Sequence, residues 1–294
     1  MFDTLMVYLW YMHVTKNKIL AGKHGRPVVT DIFFSYDGRK KPVVIYAHGI
    51  NGFKDWGNFD LVARQFAIAG FTFIKFNFSH NGTTAEQPED FVDLEAYAQD
   101  NYTIQLDDLE TVIDWVTDSA NEYNDAIDTD KIYLLGHSKG GGMVLLKAAE
   151  DVRIRAVVTW AAVSQCKTPW ATWDEQKIKD WETTGVQHLT NGRTKQQMPL
   201  YYQLYRNYID NATRLNIQEA ISTLRIPILI CHGTEDPAVD IQQAYQLHHW
   251  QPNAVLFTVE SDHVFGRKHP WTQEHLPKPM QEVVDKTINF LKAI

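Results

Sequence analysis

A chain of 294 residues, 44% hydrophobic and 22% charged, can bury a full core, and this ordinary globular composition without low-complexity tracts or repeats excludes a disordered chain or a solenoid. The formal net charge of -8, with no local basic patch, opposes phosphate backbones and argues against nucleic acid as a partner. Two cysteines, Cys166 and Cys231, are too few for a disulfide framework and fit a reducing compartment, so the cytoplasm is the expected address.

In chain order, Met1 to Val14 is apolar but holds Asp3, lacks a basic start and cleavage site, and is shorter than the roughly 20 residues of a membrane span. It reads as a surface-packed segment, with no membrane partner expected. Short apolar, β-branched runs then predict strands at Val28 to Phe34, Pro42 to Ala47, Phe71 to Phe78, Lys131 to Leu135, Ile154 to Trp160, Ile226 to Cys231 and Ala254 to Val259. Between them Leu106, Leu109, Ile113 and Val116 share one helical stripe, as do Met280, Val283, Val284, Ile288 and Leu291 near the end. This alternation predicts an α/β chain with a mostly parallel sheet covered on both faces. Ser164 to Ser222 breaks the rhythm: it shows no strand pattern, is dense in Trp and Tyr, and is too long for an ordinary connection. The expected organisation is one domain, 1–294, with a helical cap inserted at about 164–222.

Gly136-His137-Ser138-Lys139-Gly140 matches G-x-S-x-G between a predicted strand and a predicted helix. A serine pushed out on such a turn needs small residues two places to either side, and Gly136 and Gly140 supply them. Its hydroxyl is a poor nucleophile until a base takes the proton and a third group orients that base. After strand Ile226 to Cys231 comes His232-Gly233-Thr234-Glu235-Asp236, which offers Asp236 as the acid, with Glu235 as its close competitor. After strand Ala254 to Val259 comes Asp262-His263-Val264-Phe265, so His263 alone among twelve histidines follows the acid by one strand and one helix. A tetrahedral intermediate also needs two N–H donors, and the candidates are Lys139, after the serine, and Ile50 in the loop His48-Gly49-Ile50-Asn51-Gly52.

Those segments, in this order, resemble the α/β-hydrolase superfamily from about Val28 onward. Within it the chain is similar to dienelactone-hydrolase-like and cinnamoyl or feruloyl esterase-like bacterial serine hydrolases. The matching pieces are the H-G loop at His48, Asn77-Phe78-Ser79-His80-Asn81-Gly82, H-G-T-x-D at Asp236 and D-H-x-F at His263. The resemblance implies hydrolysis of a small-molecule carboxylic ester through an acyl-enzyme. Serine stands where true dienelactone hydrolases carry cysteine.

Ester, thioester and amide cleavage share one triad, so a thioesterase or a peptidase/amidase is the alternative, and a non-catalytic binding module, a role such folds can take once the triad decays, is the alternative of another class. No metal is expected, since H-E-x-x-H and spaced Cys/His clusters are absent, and no cofactor, since neither nucleotide-binding glycine pattern occurs. The inserted segment's aromatic residues, with Trp170, Trp173 and Tyr205 as candidates, are expected to line an acyl pocket.

Overall fold

The strands carry apolar residues on both faces, so the sheet must be covered on both sides. The structure, a computed structural model, describes residues 12–294, and residues 1–11 of the expected N-terminal segment lie outside the described residues. Its main sheet is formed by β1 (Met12–Leu20), β2 (Val28–Ser35), β3 (Lys41–Ala47), β4 (Thr72–Asn77), β5 (Ile127–His137), β6 (Ile154–Trp160), β9 (Ile228–Gly233) and β10 (Val255–Val259), in the order β1-β2-β4-β3-β5-β6-β9-β10. The β1–β2 and β2–β4 pairs are antiparallel and all the others parallel. This is the α/β-hydrolase fold.

Alternation along each strand splits the core. Val43, Ile45 and Ala47 of β3 face one buried layer with Leu106, Leu109 and Ile113 of α3 (Tyr102–Thr117) and Met143 and Val144 of α4 (Lys139–Glu150). Val44 and Tyr46 face the other, with Phe59, Val62 and Phe66 of α1 (Phe59–Ile68) and Met280, Val283 and Val284 of α9 (Lys278–Lys292). The expected stripes are therefore the buried faces of α3 and α9, with Ile288 only half-buried. Each fully buried aliphatic side chain contributes about 1.5–3 kcal/mol. Asn101 starts α3 by accepting the Ile104 N–H on its side chain at 3.0 Å. The short α2 (Leu94–Gln99) precedes it. Among the described residues no helix is long and apolar enough to cross a membrane.

Two features depart from the sequence reading. Met12 to Val14 open a strand, β1, whose polar residues and register shift between Thr15 and Lys18 hide the alternation. Between β6 and β9 lie α5 (Glu175–Thr184), α6 (Gln203–Asp210) and α7 (Ile217–Thr223), but also an antiparallel ribbon of β7 (Val186–Thr190) and β8 (Gln197–Tyr201). The segment is thus not purely helical. The ribbon escapes a pattern reading because its five-residue strands are half-exposed and one holds Pro199.

Parallel strands bring their C-terminal ends to one edge, where ligands of open α/β sheets bind. Register then sets neighbours there: Ala47 pairs with Gly136, His137 with Trp160, and Val259 with Gly233. α8 (Gln242–Trp250) connects β9 to β10.

Candidate active site

The turn from β5 into α4 forces Ser138 to φ 56° and ψ -122°, a conformation costing about 1–3 kcal/mol unless its surroundings fix it. They do: the Ser138 N–H donates to the Trp160 carbonyl at 2.9 Å, and the Ser138 carbonyl accepts from Gly141 N–H at 2.9 Å. A Cβ on Gly136 would stand 2.3 Å from the Gly140 carbonyl oxygen, and one on Gly140 would stand 2.4 Å from that of Ala47. Both glycines are therefore obligatory for steric reasons. Gly49 passes as closely, its notional Cβ 2.9 Å from Ser138 Cβ, so the loop after β3 lies against the serine.

Asp236, with a fully buried side chain, places Oδ2 2.7 Å from His263 Nδ1. A carboxylate can only accept there, so Nδ1 carries the hydrogen and Nε2 is left as the basic nitrogen. Oδ1 accepts the N–H groups of Ala238 and Val239, both at 2.8 Å. Burial alone would raise the Asp236 carboxyl, but the hydrogen bonds from His232, His263 and Val239 outweigh it and hold the pKa below the usual carboxylate range. Glu235 is exposed, and only its backbone is fixed, by an N–H donated to Ser261 O at 3.0 Å.

A cavity of about 750 Å³ is lined by Ser138, His263, Gly49 and Ile50, and on its other side by Ser164, Thr168 and Asn191 of the inserted segment. Of the two expected oxyanion donors, Ile50 lines this cavity. Lys139 opens α4, where a first-turn N–H has no intrahelical acceptor. Its side chain turns away into the core, with Nζ 3.2 Å from Asp100 Oδ2 and 4.6 Å from the centre of the Tyr102 ring.

The expected aromatic lining is corrected. The cavity walls do not include Trp170, Trp173 or Tyr205. Instead Trp170 packs 5.9 Å from Trp181 and 5.8 Å from Tyr205, and Trp173 lies 5.2 Å from Trp181, which is fully buried and donates Nε1–H to Leu200 O at 2.8 Å. Large rings that can bury against one another stabilise the inserted segment more than they would facing water in a cleft.

Three histidines missed by sequence reasoning support the loops. His137 Nε2–H donates to the His263 carbonyl at 2.9 Å, joining elbow and base loops. His232 Nε2–H donates to Val239 O at 2.8 Å and lies 3.3 Å from Asp236 Oδ2. His48 Nδ1–H donates to Gly49 O at 2.9 Å, and burial pushes its pKa down to about 4, so the ring is neutral. The far end of this loop is anchored by Lys54, whose Nζ meets Asp31 Oδ1 at 2.8 Å in a buried network with Lys75 and Asp55.

The BD-FAE family model matches residues 30–251. The solved structure of Est1E from Butyrivibrio proteoclasticus with ferulic acid bound is similar at 19% identity, covering 94% of this chain and 100% of that one, with a TM-score of 0.68. The esterase domain of a Rhodothermus marinus protein is similar at 15% identity, covering 96% and 98% of the two chains, with a TM-score of 0.63. Among curated proteins, the quorum-quenching protein AidA of Acinetobacter baumannii is 29% identical over 125 residues, 42% of this chain and 35% of AidA. The chain spans little more than a third of the length of the curated relatives it matches.

Proposed function

From a chain that belongs to the BD-FAE family, an α/β-hydrolase-type esterase domain, we propose a serine hydrolase that cleaves a small-molecule carboxylic ester through an acyl-enzyme on Ser138. The observation that carries the reading is that Ser138, on its strained elbow, and His263, bound to Asp236 at 2.7 Å, open onto one cavity. His263 Nε2 takes the hydroxyl proton as Ser138 Oγ attacks the ester carbonyl, then returns it to the departing alcohol. The N–H groups of Ile50 and Lys139 receive the oxyanion. Water, activated by the same nitrogen, releases the acid. Asp236 keeps the proton on Nδ1 and stabilises the imidazolium without being protonated itself. We read residues 164–222 as the cap of one domain, with Ser164, Thr168 and Asn191 forming the cavity's far wall.

A fluorophosphonate probe tests the reading, since it needs an activated serine. Labelling mapped to Ser138 and lost in Ser138→Ala is expected. A folded protein that stays unlabelled, as a binding-only module would, overturns it.

A further inference from the structure

The chain carries 36 acidic and 28 basic residues, yet no aspartate or glutamate lines the cavity while Lys167, Arg193 and Arg267 do. Elsewhere the buried cations are matched. Lys54 and Lys75, with wholly buried side chains, both meet Asp31 and Asp55, and Lys139 meets Asp100. Among the described residues, none of the three cavity cations forms an ion pair with a carboxylate. They are graded in depth: Arg193, in the β7–β8 turn, is exposed, Lys167 is half-buried, and Arg267 is 4% exposed.

Arg267 is the most telling. Its Nε–H donates to Val264 O at 2.7 Å, while both terminal nitrogens are buried and make no hydrogen bond, with the Tyr46 hydroxyl and the Asp262 carboxylate near enough to favour the charge. The guanidinium lies over the Phe59 ring at 4.6 Å and that of Trp56 at 5.5 Å, in the cavity wall. A buried cation that forms no ion pair costs several kcal/mol; burial outweighs the attraction of Tyr46 and Asp262 here, and an anion in the adjoining space offsets that cost. The field inside a walled cleft is also less screened than at an open surface.

We propose that the cavity selects esters bearing a carboxylate, the half-ester of a dicarboxylic acid being the simplest, with Arg193 and Lys167 drawing the anion in and Arg267 supplying fixed positive charge in the wall. The substrate class rests on the hydrolase reading above, but the charge preference can be measured apart from it. The probes are monoethyl glutarate and its neutral counterpart ethyl pentanoate, used for turnover by the wild type and for calorimetric binding to Ser138→Ala.

The expected result is a preference of at least about tenfold for the half-ester in both kcat/KM and binding, shrinking as salt is raised. In the double variant Arg193→Gln/Lys167→Gln, both at accessible positions, the preference should fall about tenfold. Lys195→Gln, in the same turn but outside the cavity, should leave it unchanged. Equal handling of both esters, or a preference untouched by the double variant, overturns the inference while any turnover keeps the hydrolase. Tighter half-ester binding to Ser138→Ala with no turnover by wild type does the reverse: the anion site stands and the hydrolase reading falls.

Discussion

The loops at the C-terminal edge of the sheet and the segment inserted between β6 and β9 face each other across one cavity, but different forces hold them. The loops are fixed through backbone groups: glycines where no Cβ fits, and carbonyls and N–H groups that bind one another and the side chains of Asp236, His137, His232 and His48. The insertion is fixed by side chains, with Trp181 at the centre of a cluster of Trp170, Trp173, Tyr202 and Tyr205. Position is specified to fractions of an ångström in the first and by bulk in the second. Chemistry should therefore be lost by changes that barely touch stability on one side, and stability by changes that spare the chemistry on the other.

The largest effect tests the loops. Ser138→Ala should lower kcat on the order of 10⁶-fold, as in other triads, with the urea midpoint nearly unmoved because one oxygen is deleted at an unchanged turn. Residual activity within tenfold of wild type on folded protein would sink the assignment. Asp236→Asn comes next, at roughly 10⁴-fold, since an amide favours the wrong tautomer of His263. Glu235→Gln should change kcat by less than about threefold, and reversed ranks would identify Glu235 as the acid.

On the other side, Trp181→Ala should cost about 3–5 kcal/mol in urea unfolding, because a fully buried indole and its hydrogen bond to Leu200 are lost. The folded fraction should still label at Ser138, and abolished labelling would join the two regions into one unit. A loss of no more than about 1 kcal/mol would show that the cluster does not hold the insertion.

The most gradual effect, spread over several pH units, concerns Asp108, in α3, whose Oδ2 accepts from Ser79 N–H at 2.8 Å and whose pKa burial pushes up to about 8. Unfolded, it titrates near the ordinary value of about 3.9. The native state thus holds a proton that the unfolded chain releases between those values. Its contribution to stability is present below the unfolded value and lost as pH rises through the folded one. Relative to Asp108→Asn, wild type should lose about 1.4 kcal/mol per pH unit across that window, and parallel stability curves for the two proteins would refute the raised value.

The same contrast explains what could be read from sequence. β3, β5, β6 and β9 are buried on both faces, so their composition announces them, and the triad follows because Ser138 and Asp236 sit just past β5 and β9 and His263 just past the shorter, half-exposed β10. β1 could not be seen through its polar residues, nor β7 and β8 through their half-exposure. The helpers were illegible for another reason. The tie from His137 to the His263 carbonyl joins residues 126 positions apart, and nothing local to either one announces it. The aromatic cluster was visible as composition, but whether the rings face a ligand or one another depends on how the insertion folds back, which periodicity does not encode.

Among the described residues β10 has a single neighbour. It pairs with β9 alone, leaves Val255 and Thr258 exposed, and ends four residues before His263. Edge strands open at lower free energy than central ones, so this margin can detach while the β3–β5–β6 interior stays closed. The base would leave with it, and the serine would stay behind on an intact elbow. On heating, catalytic output should then fade before the spectroscopic melt begins, in step with amide exchange along 255–259 rather than with exchange in the interior strands.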